Sequence, residues 1–269
     1  MRKLDAILPY DKIGNSYEYT KNIEFFDYTA KKICSSITIK KGEILDLACG
    51  TGICTFNLSK RFPRCRITGV DVFRKMITLA RAKNMYENVK FMRGDAISLS
   101  FPPNYFDVIT CNIAFHWFES RSVVNKIYRV LKPGGQIAFT VNGDVRLSPY
   151  GAGSIAFISP FLDKRFLEEN RKIFKHKSKL KDENYFKSLF SIFSNFNIKR
   201  FYYTEKFLSP KELVTAYKSR GALAFTYGSL EDVAEKVIYE TGVKLIKKYR
   251  NLDFPRTVFL INGVKETSV

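Results

Sequence analysis

Ile44-Leu45-Asp46-Leu47-Ala48-Cys49-Gly50-Thr51-Gly52 is the stretch on which the fold turns. Glu43–Ala48 reads as a short buried strand, interrupted by one carboxylate and running straight into two closely spaced glycines. Without a Cβ, Gly50 and Gly52 let the backbone turn tightly and let a ligand come close. A helix then begins just after Gly52 and continues to about Arg61.

Working outward, Ile23, Phe26, Ala30, Ile33 and Ile37 line one helical face, so a helix over Tyr17–Ile37 precedes the strand. Downstream, Arg66–Val70 reads as a strand ending at Asp71, Phe73–Asn84 as a helix and Val89–Arg93 as a third strand. Phe106–Cys111 is the fourth strand. A helix marked by Val123, Ile127, Val130 and Leu131 is expected to stop at Pro133-Gly134-Gly135, with Gln136–Val141 as the fifth strand. This alternation predicts a doubly wound α/β fold around a largely parallel sheet. After Asn142 the pattern changes: helical stretches around Pro160–Lys175 and Asp182–Phe193 carry no obvious strand and predict an insertion over the site edge. Phe196–Phe207 is extended, Ser209-Pro210-Lys211-Glu212 starts a capped helix, and Leu230–Tyr249 is a helix before a closing strand at Phe254–Ile261. The expected division is 1–40 as an N-terminal helical segment, 41–142 as the ligand-binding core, 143–195 as the inserted cap and 196–269 as completion of the sheet.

Composition narrows the function classes. The chain has 269 residues, 45% of them hydrophobic, which suits a soluble globular protein. No apolar run approaches the roughly 18 residues of a membrane span, and nothing resembles a secretory signal, so a cytoplasmic protein is expected. The five cysteines contain no CxxC pair and read as small apolar fillers in a reducing compartment. With two histidines, His116 and His176, a multi-histidine metal centre cannot be built, and no metal is expected. A net charge of +19 favours anionic partners such as nucleic acid, acidic metabolites or a lipid surface without choosing among them.

The glycine turn suits a zwitterionic ligand. Amides opening the next helix would meet a carboxylate, and Asp46 could engage an amino group directly or through water. A dinucleotide site would want G-x-G-x-x-G, but Ile53-Cys54-Thr55 follows Gly52, so the third glycine is missing. Asp71 stands where a carboxylate can accept two ribose hydroxyls. Met76 can pack on adenine or in the core. Asp95 can accept the adenine amino group or cap a turn. The strand ends Asp46, Asp71, Asp95 and Asn112 fall on one sheet edge, where open α/β sheets bind ligands.

Five segments carry a resemblance: ILDLACGTG at 44–52, GVDVFRKMI at 69–77, FMRGDA at 91–96, FDVITCNIAFHWF at 106–118 and VLKPGGQIAF at 130–139. Together they resemble the class I S-adenosylmethionine-dependent methyltransferases, in the small-molecule branch that includes ubiquinone/menaquinone, trans-aconitate and malonyl-carrier methyltransferases. The resemblance implies a seven-stranded sheet of order 3-2-1-4-5-7-6 with the last strand antiparallel. It implies S-adenosylmethionine as cofactor and S-adenosylhomocysteine as product. The implied cofactor positions are Asp46, Ala48, Gly50, Thr51 and Gly52 for the methionyl part, Asp71 and Val72 for ribose, Met76, Asp95 and Ala96 for adenine, and Asn112. Tyr10-Asp11-Lys12 to Tyr17 is similar to a segment that folds over the cofactor in this branch, and Ser219 matches a serine usual in trans-aconitate-type enzymes.

Methyl transfer needs alignment of an entering nucleophile with the methyl and the leaving sulfur, and a base only where the nucleophile keeps its proton. His116, just past the fourth strand, is the candidate base, substrate hydrogen-bonder or packing residue. Tyr17 and Tyr19 are candidates to close aromatic faces over the sulfonium. Aromatic residues and Arg146, Arg165, Arg171 and Lys172 in the insertion point to a small organic substrate with an apolar part and an anionic group, with O-methylation slightly favoured. An RNA or tRNA methyltransferase is the alternative that the charge supports, although Asn112-Ile113-Ala114-Phe115 is no Asn-Pro-Pro-Tyr motif. A noncatalytic cofactor-binding regulator is the third reading. Oligomeric state is left open.

Overall fold

The computed structural model describes residues 18–117, 120–143, 182–219 and 231–267. In chain order these form α1 (Thr20–Ser36), β1 (Glu43–Leu47), α2 (Ile53–Arg61), β2 (Arg66–Asp71), α3 (Arg74–Lys83), β3 (Val89–Arg93), β4 (Phe106–Asn112), α4 (Arg121–Val130), β5 (Leu131–Asn142), α5 (Glu183–Leu189), β6 (Ser194–Lys206), α6 (Pro210–Ser219), α7 (Glu231–Tyr249) and β7 (Asp253–Val264). Single 3₁₀ turns occupy Ala96–Ser98 and Phe115–Trp117.

The strands form one seven-stranded sheet of order β3-β2-β1-β4-β5-β7-β6. β1 pairs parallel with β2 and β4, β2 with β3, and β4 with β5, whereas β7 runs antiparallel to β5 with Asn142 opposite Val258. Every residue of β1 is buried, as expected of a central strand covered on both faces. Chain reversal between β1 and β4 opens the crevice in which such sheets take their ligands.

Two compact units emerge from the contacts. One comprises the described residues of 26–142, 182–201 and 258–269; the other those of 1–25, 143–181 and 202–257. In the sheet-bearing unit, one face packs Ala30, Ile33 and Ile37 of α1, Cys54 and Leu58 of α2, and Ile77 and Ala80 of α3 against Ile44, Ile67, Phe91 and Val108. On α4, Val123, Ile127 and Val130 are buried as their spacing predicted, with Val124 beside them, while Leu131 opens β5. Ser120 caps that helix by accepting from the Val123 amide at 3.2 Å.

Three expectations change. Asp182–Phe193 does not stand apart as cap: Phe186 and Phe190 are fully buried in the sheet unit, with Phe190 5.2 Å from Phe115 and 5.8 Å from Phe139, ring centre to ring centre. The Arg121 guanidinium ties this segment down by donating to the Ser188 and Leu189 carbonyls. Of the aromatics whose spacing suits either a lining or a core, Phe186 and Phe190 are core. β5 starts at Leu131, ahead of Pro133-Gly134-Gly135, so the glycines make an excursion within the strand where pairing jumps from Phe106–Leu131 to Val108–Gln136. Ala48 is not in β1; it takes a left-handed backbone, φ 51°. The earlier part of the expected insertion, 144–181, lies outside the described residues.

In the second unit, α6 and α7 pack around Phe207, Leu213, Ala216, Ile238, Leu252 and Phe254. The predicted cap is present, Ser209 Oγ accepting from the Glu212 amide at 3.2 Å. Ser219, buried, accepts from Asn22 Nδ2 at 3.0 Å. Among the described residues no helix is long and apolar enough to cross a membrane.

Candidate functional site

The site is built from the turn after β1. Gly50 (φ 56°) and Gly52 (φ 93°) both hold left-handed backbone, which is why glycine stands at each. Their surroundings differ. A Cβ at Gly52 would lie 2.9 Å from the Phe56 and Phe91 rings, whereas one at Gly50 would meet nothing within 4 Å. Gly52 is therefore closed by packing and Gly50 faces an open cradle. Between them Thr51 is 2% exposed, and its Oγ1 is buried without a hydrogen-bond partner among the described residues. A buried hydroxyl left that way costs about 1–3 kcal/mol unless something meets it. α2 begins at Ile53, so its first-turn amides, which lack intrahelical acceptors, crown the same turn.

Asp46 sits beneath the turn at 0% exposure. Its Oδ2 accepts from Thr55 Oγ1 at 2.7 Å and its Oδ1 from Thr110 Oγ1 at 2.9 Å. Burial pushes its carboxyl up to about 6, against the pull of those hydroxyls and the Cys54 thiol. The carboxylate thus couples β1, α2 and β4 and does not stand free at a strand tip.

Asp71 ends β2 at 6% exposure. Its Oδ2 accepts from the Gly50 amide at 2.9 Å and its Oδ1 from the Phe73 amide at 2.9 Å. One carboxylate therefore sets both the glycine turn and the entry to α3. Each carboxylate oxygen can accept more than one hydrogen bond. Asp95 is half-buried and caps the Ala96–Ser98 turn, accepting from the Ile97 amide at 2.9 Å through Oδ1; Ala96 is buried. Val72, half-buried, gives its carbonyl to Arg93 Nε at 3.0 Å. Met76 is 2% exposed and so sits in the core of α3 with almost no free surface.

At the end of β4, Asn112 is tied on both sides. Its Nδ2 donates to the Phe26 carbonyl at 2.9 Å and its Oδ1 accepts from Thr140 Oγ1 at 2.7 Å. The same Thr140 oxygen accepts from the Ile113 amide at 3.1 Å. Ile113 has φ 53°, an outlier for a β-branched residue, and Thr140 is what holds it there. Past this bend the Phe115–Trp117 turn carries His116, half-buried. No local sequence signal marks Thr55, Thr110 or Thr140, because each acts on a partner far away in the chain or through a fold not yet formed. Tyr19 belongs to the second unit, its hydroxyl donating to Glu212 Oε1 at 3.4 Å; Tyr17 lies outside the described residues.

All five cysteines are buried and free. Burial pushes the Cys34 thiol up to about 12 and holds Cys49, Cys54 and Cys111 well above the ordinary thiol range, which leaves them packing as apolar groups.

Residues 44–135 match a family model described as a methyltransferase domain. Over 102 residues the chain is 40% identical to malonyl-[acyl-carrier protein] O-methyltransferase of Priestia megaterium, covering 38% of this chain and 37% of the relative. Demethylmenaquinone methyltransferase of Lactococcus lactis is 37% identical over 131 residues, 46% of this chain and 52% of its own. The chain thus spans about half or less of the length of these curated relatives. Among solved structures, phosphoethanolamine N-methyltransferase 2 of Haemonchus contortus, in complex with phosphomonomethylethanolamine and S-adenosylhomocysteine, shares the fold at TM-score 0.54 and 17% identity, over 93% of this chain and 58% of its own.

Proposed function

We propose, from the match of residues 44–135 to a methyltransferase domain, that this chain transfers a methyl group from S-adenosylmethionine to a small organic metabolite. The observation that carries the reading is the pairing of the open face at Gly50 with the buried, unmatched Thr51 hydroxyl. That cradle fits an amino-acid tail. When bound, the cofactor supplies an electrophilic methyl on a sulfonium; the chain's own residues do the holding and aligning.

On this reading the opening amides of α2 and Thr51 Oγ1 meet the methionyl carboxylate, with Ala48 and Gly52 shaping the turn. Asp46 acts beneath the turn, fixing Thr55 and lending negative charge to the side of the ammonium group. Asp71 meets the ribose hydroxyls beside Val72. Asp95 and the Ala96 backbone meet the adenine edge, and Met76 backs that pocket from the core. Asn112, held at both ends of its amide, is fixed beside the ligand at the end of β4 and keeps one N–H that can meet it. His116 takes the proton of a hydroxyl nucleophile or orients it.

The name of the relative that methylates a malonyl carrier supports O-methylation of an acceptor with an anionic group and an apolar part. Five buried free thiols agree with a cytoplasmic setting. Calorimetry with S-adenosylhomocysteine, paired with incubation of methyl-labelled donor in separate pools of metabolite extract and RNA, tests the proposal. Binding together with label in the metabolite pool is expected. Label in RNA alone, or binding with no transfer to either pool, would overturn it.

A further inference from the structure

We propose that Lys126 and Arg129 of α4 are positioning residues for adenine recognition, because they hold the segment that carries Asp95 and Ala96. The inference rests on the cofactor reading above. β3 lies at one edge of the sheet and β4 on the far side of β1, and β3, β2, β1 and β4 all run parallel. Residues 94–105 must therefore travel from the ligand edge back to the opposite edge, past β2 and β1. A parallel crossover usually makes that journey as an α-helix. Here only the single turn Ala96–Ser98 is helical, and the rest has neither a helix nor a ladder to satisfy its backbone groups.

Side chains of α4 supply what is missing. Lys126 Nζ donates to the Ile97 carbonyl, and Arg129 spans two more, through Nη2 to Leu99 at 2.9 Å and through Nη1 to Phe101 at 3.0 Å. Three positions apart, the two cations lie on one flank of the helix. Farther along, the Asn104 and Tyr105 amides donate to the Arg129 and Val130 carbonyls, each at 2.9 Å. The crossover is thus strapped along α4. An ammonium or guanidinium on a carbonyl makes a charge-assisted bond, stronger than one between neutral groups.

One residue carries this grip to the ligand edge. Ile97 donates its amide to Asp95 Oδ1 at 2.9 Å and gives its carbonyl to Lys126. The Ser98 amide donates to the Asp95 carbonyl at 2.9 Å, so side chain and main chain of Asp95 are both set by the turn that Lys126 holds. Arg129 fixes the next stretch, in which Leu99 is buried. Arg81 also donates to a carbonyl, that of Phe91, but Phe91 is already placed by pairing with Gly69 of β2. No strand pairing places residues 97–101, which leaves their course to α4.

Calorimetry with S-adenosylhomocysteine and with S-inosylhomocysteine, in which a carbonyl oxygen replaces the exocyclic amino group, tests this. The unsubstituted chain is expected to prefer the adenine compound. Lys126→Met/Arg129→Met, which keeps good helix formers, is expected to lose about tenfold in affinity for S-adenosylhomocysteine and most of that preference. Lys126→Arg/Arg129→Lys should recover part of both. Arg121→Met makes the same change on the same helix, but against the Ser188 and Leu189 carbonyls, and should lower the melting temperature without altering the preference. If circular dichroism shows the double variant unfolded, Lys126→Met alone carries the comparison. A purely structural role would move the melting temperature and leave the ratio of the two affinities unchanged. That outcome, or an equal loss of preference from Arg121→Met, overturns this proposal alone. Absence of S-adenosylhomocysteine binding by the unsubstituted chain overturns the methyltransferase reading, and this inference with it.

Discussion

Charged groups in the sheet unit are handled in two opposite ways. At the ligand edge, Asp46 and Asp71 are buried, and their oxygens are bonded to hydroxyls and backbone amides that shape the turn. Beside β3, by contrast, the Arg81 and Arg93 guanidiniums are exposed and donate to neutral carbonyls. Removing a group of the first kind deforms the site, because a buried partner is left unmatched. Removing one of the second kind changes the field and little else. The contrast teaches which charges belong to architecture and which are available to partners.

That difference can be broken most forcefully at the glycines. Gly52→Ala, with left-handed backbone and two rings 2.9 Å from the new Cβ, is expected to cost about 3 kcal/mol or more and to abolish cofactor binding. Gly134→Ala, also left-handed (φ 74°) but with nothing nearer than 3.5 Å, should cost about 1 kcal/mol. Urea denaturation of the pair reads the difference directly.

Next comes pH. The folded carboxyl of Asp46, raised to about 6 by burial, lies above its unfolded value, so its protonated form favours folding. That contribution is complete below pH ~4 and is lost as pH climbs through 6, amounting to about 3 kcal/mol by the linkage of a shift of roughly two units. Asp46→Asn should flatten this part of the stability profile. A cationic ligand above the same carboxylate draws its pKa down, so affinity for S-adenosylmethionine should rise between pH 5 and 7 with release of a proton, an effect absent from the variant.

A smaller effect is expected at Thr140. Thr140→Val removes the hydroxyl that joins Asn112 to the Ile113 amide, at a cost of about 1–2 kcal/mol. By freeing the bend before His116 it should lower kcat more than it raises KM. Smallest of all, Arg64→Gln, on the exposed connection between α2 and β2, should alter stability by less than about 0.5 kcal/mol. A loss as large as that of Thr140→Val would erase the distinction between the two kinds of charge.

Much of this was legible in the chain because it is written locally. Alternation of apolar runs and helical stripes gives β1 to β5 with their helices, and Ser209 announces its cap by its spacing to Glu212. The glycine turn and the carboxylate ending β2 were equally plain. Less could be read where the deciding partner is distant. Thr110 meets Asp46 across 64 positions, and Asn112 meets Phe26 across 86, so the settings of both polar residues depend on the assembled sheet. The misplaced segment Asp182–Phe193 shows the same limit. Aromatic helices read alike whether they line a cavity or fill a core, and only the arrival of Phe115, Phe139 and Phe259 decides.

Strand order has a consequence for biosynthesis. β7, the seventh strand made, slots between β5 and β6, both synthesised before it. Until residues near Val264 clear the ribosomal tunnel, β5 has no neighbour on that side and β6 lacks the strand that joins it to the rest. Nascent chains therefore present sticky open edges throughout translation, and holding factors that shield them would govern the yield of native protein.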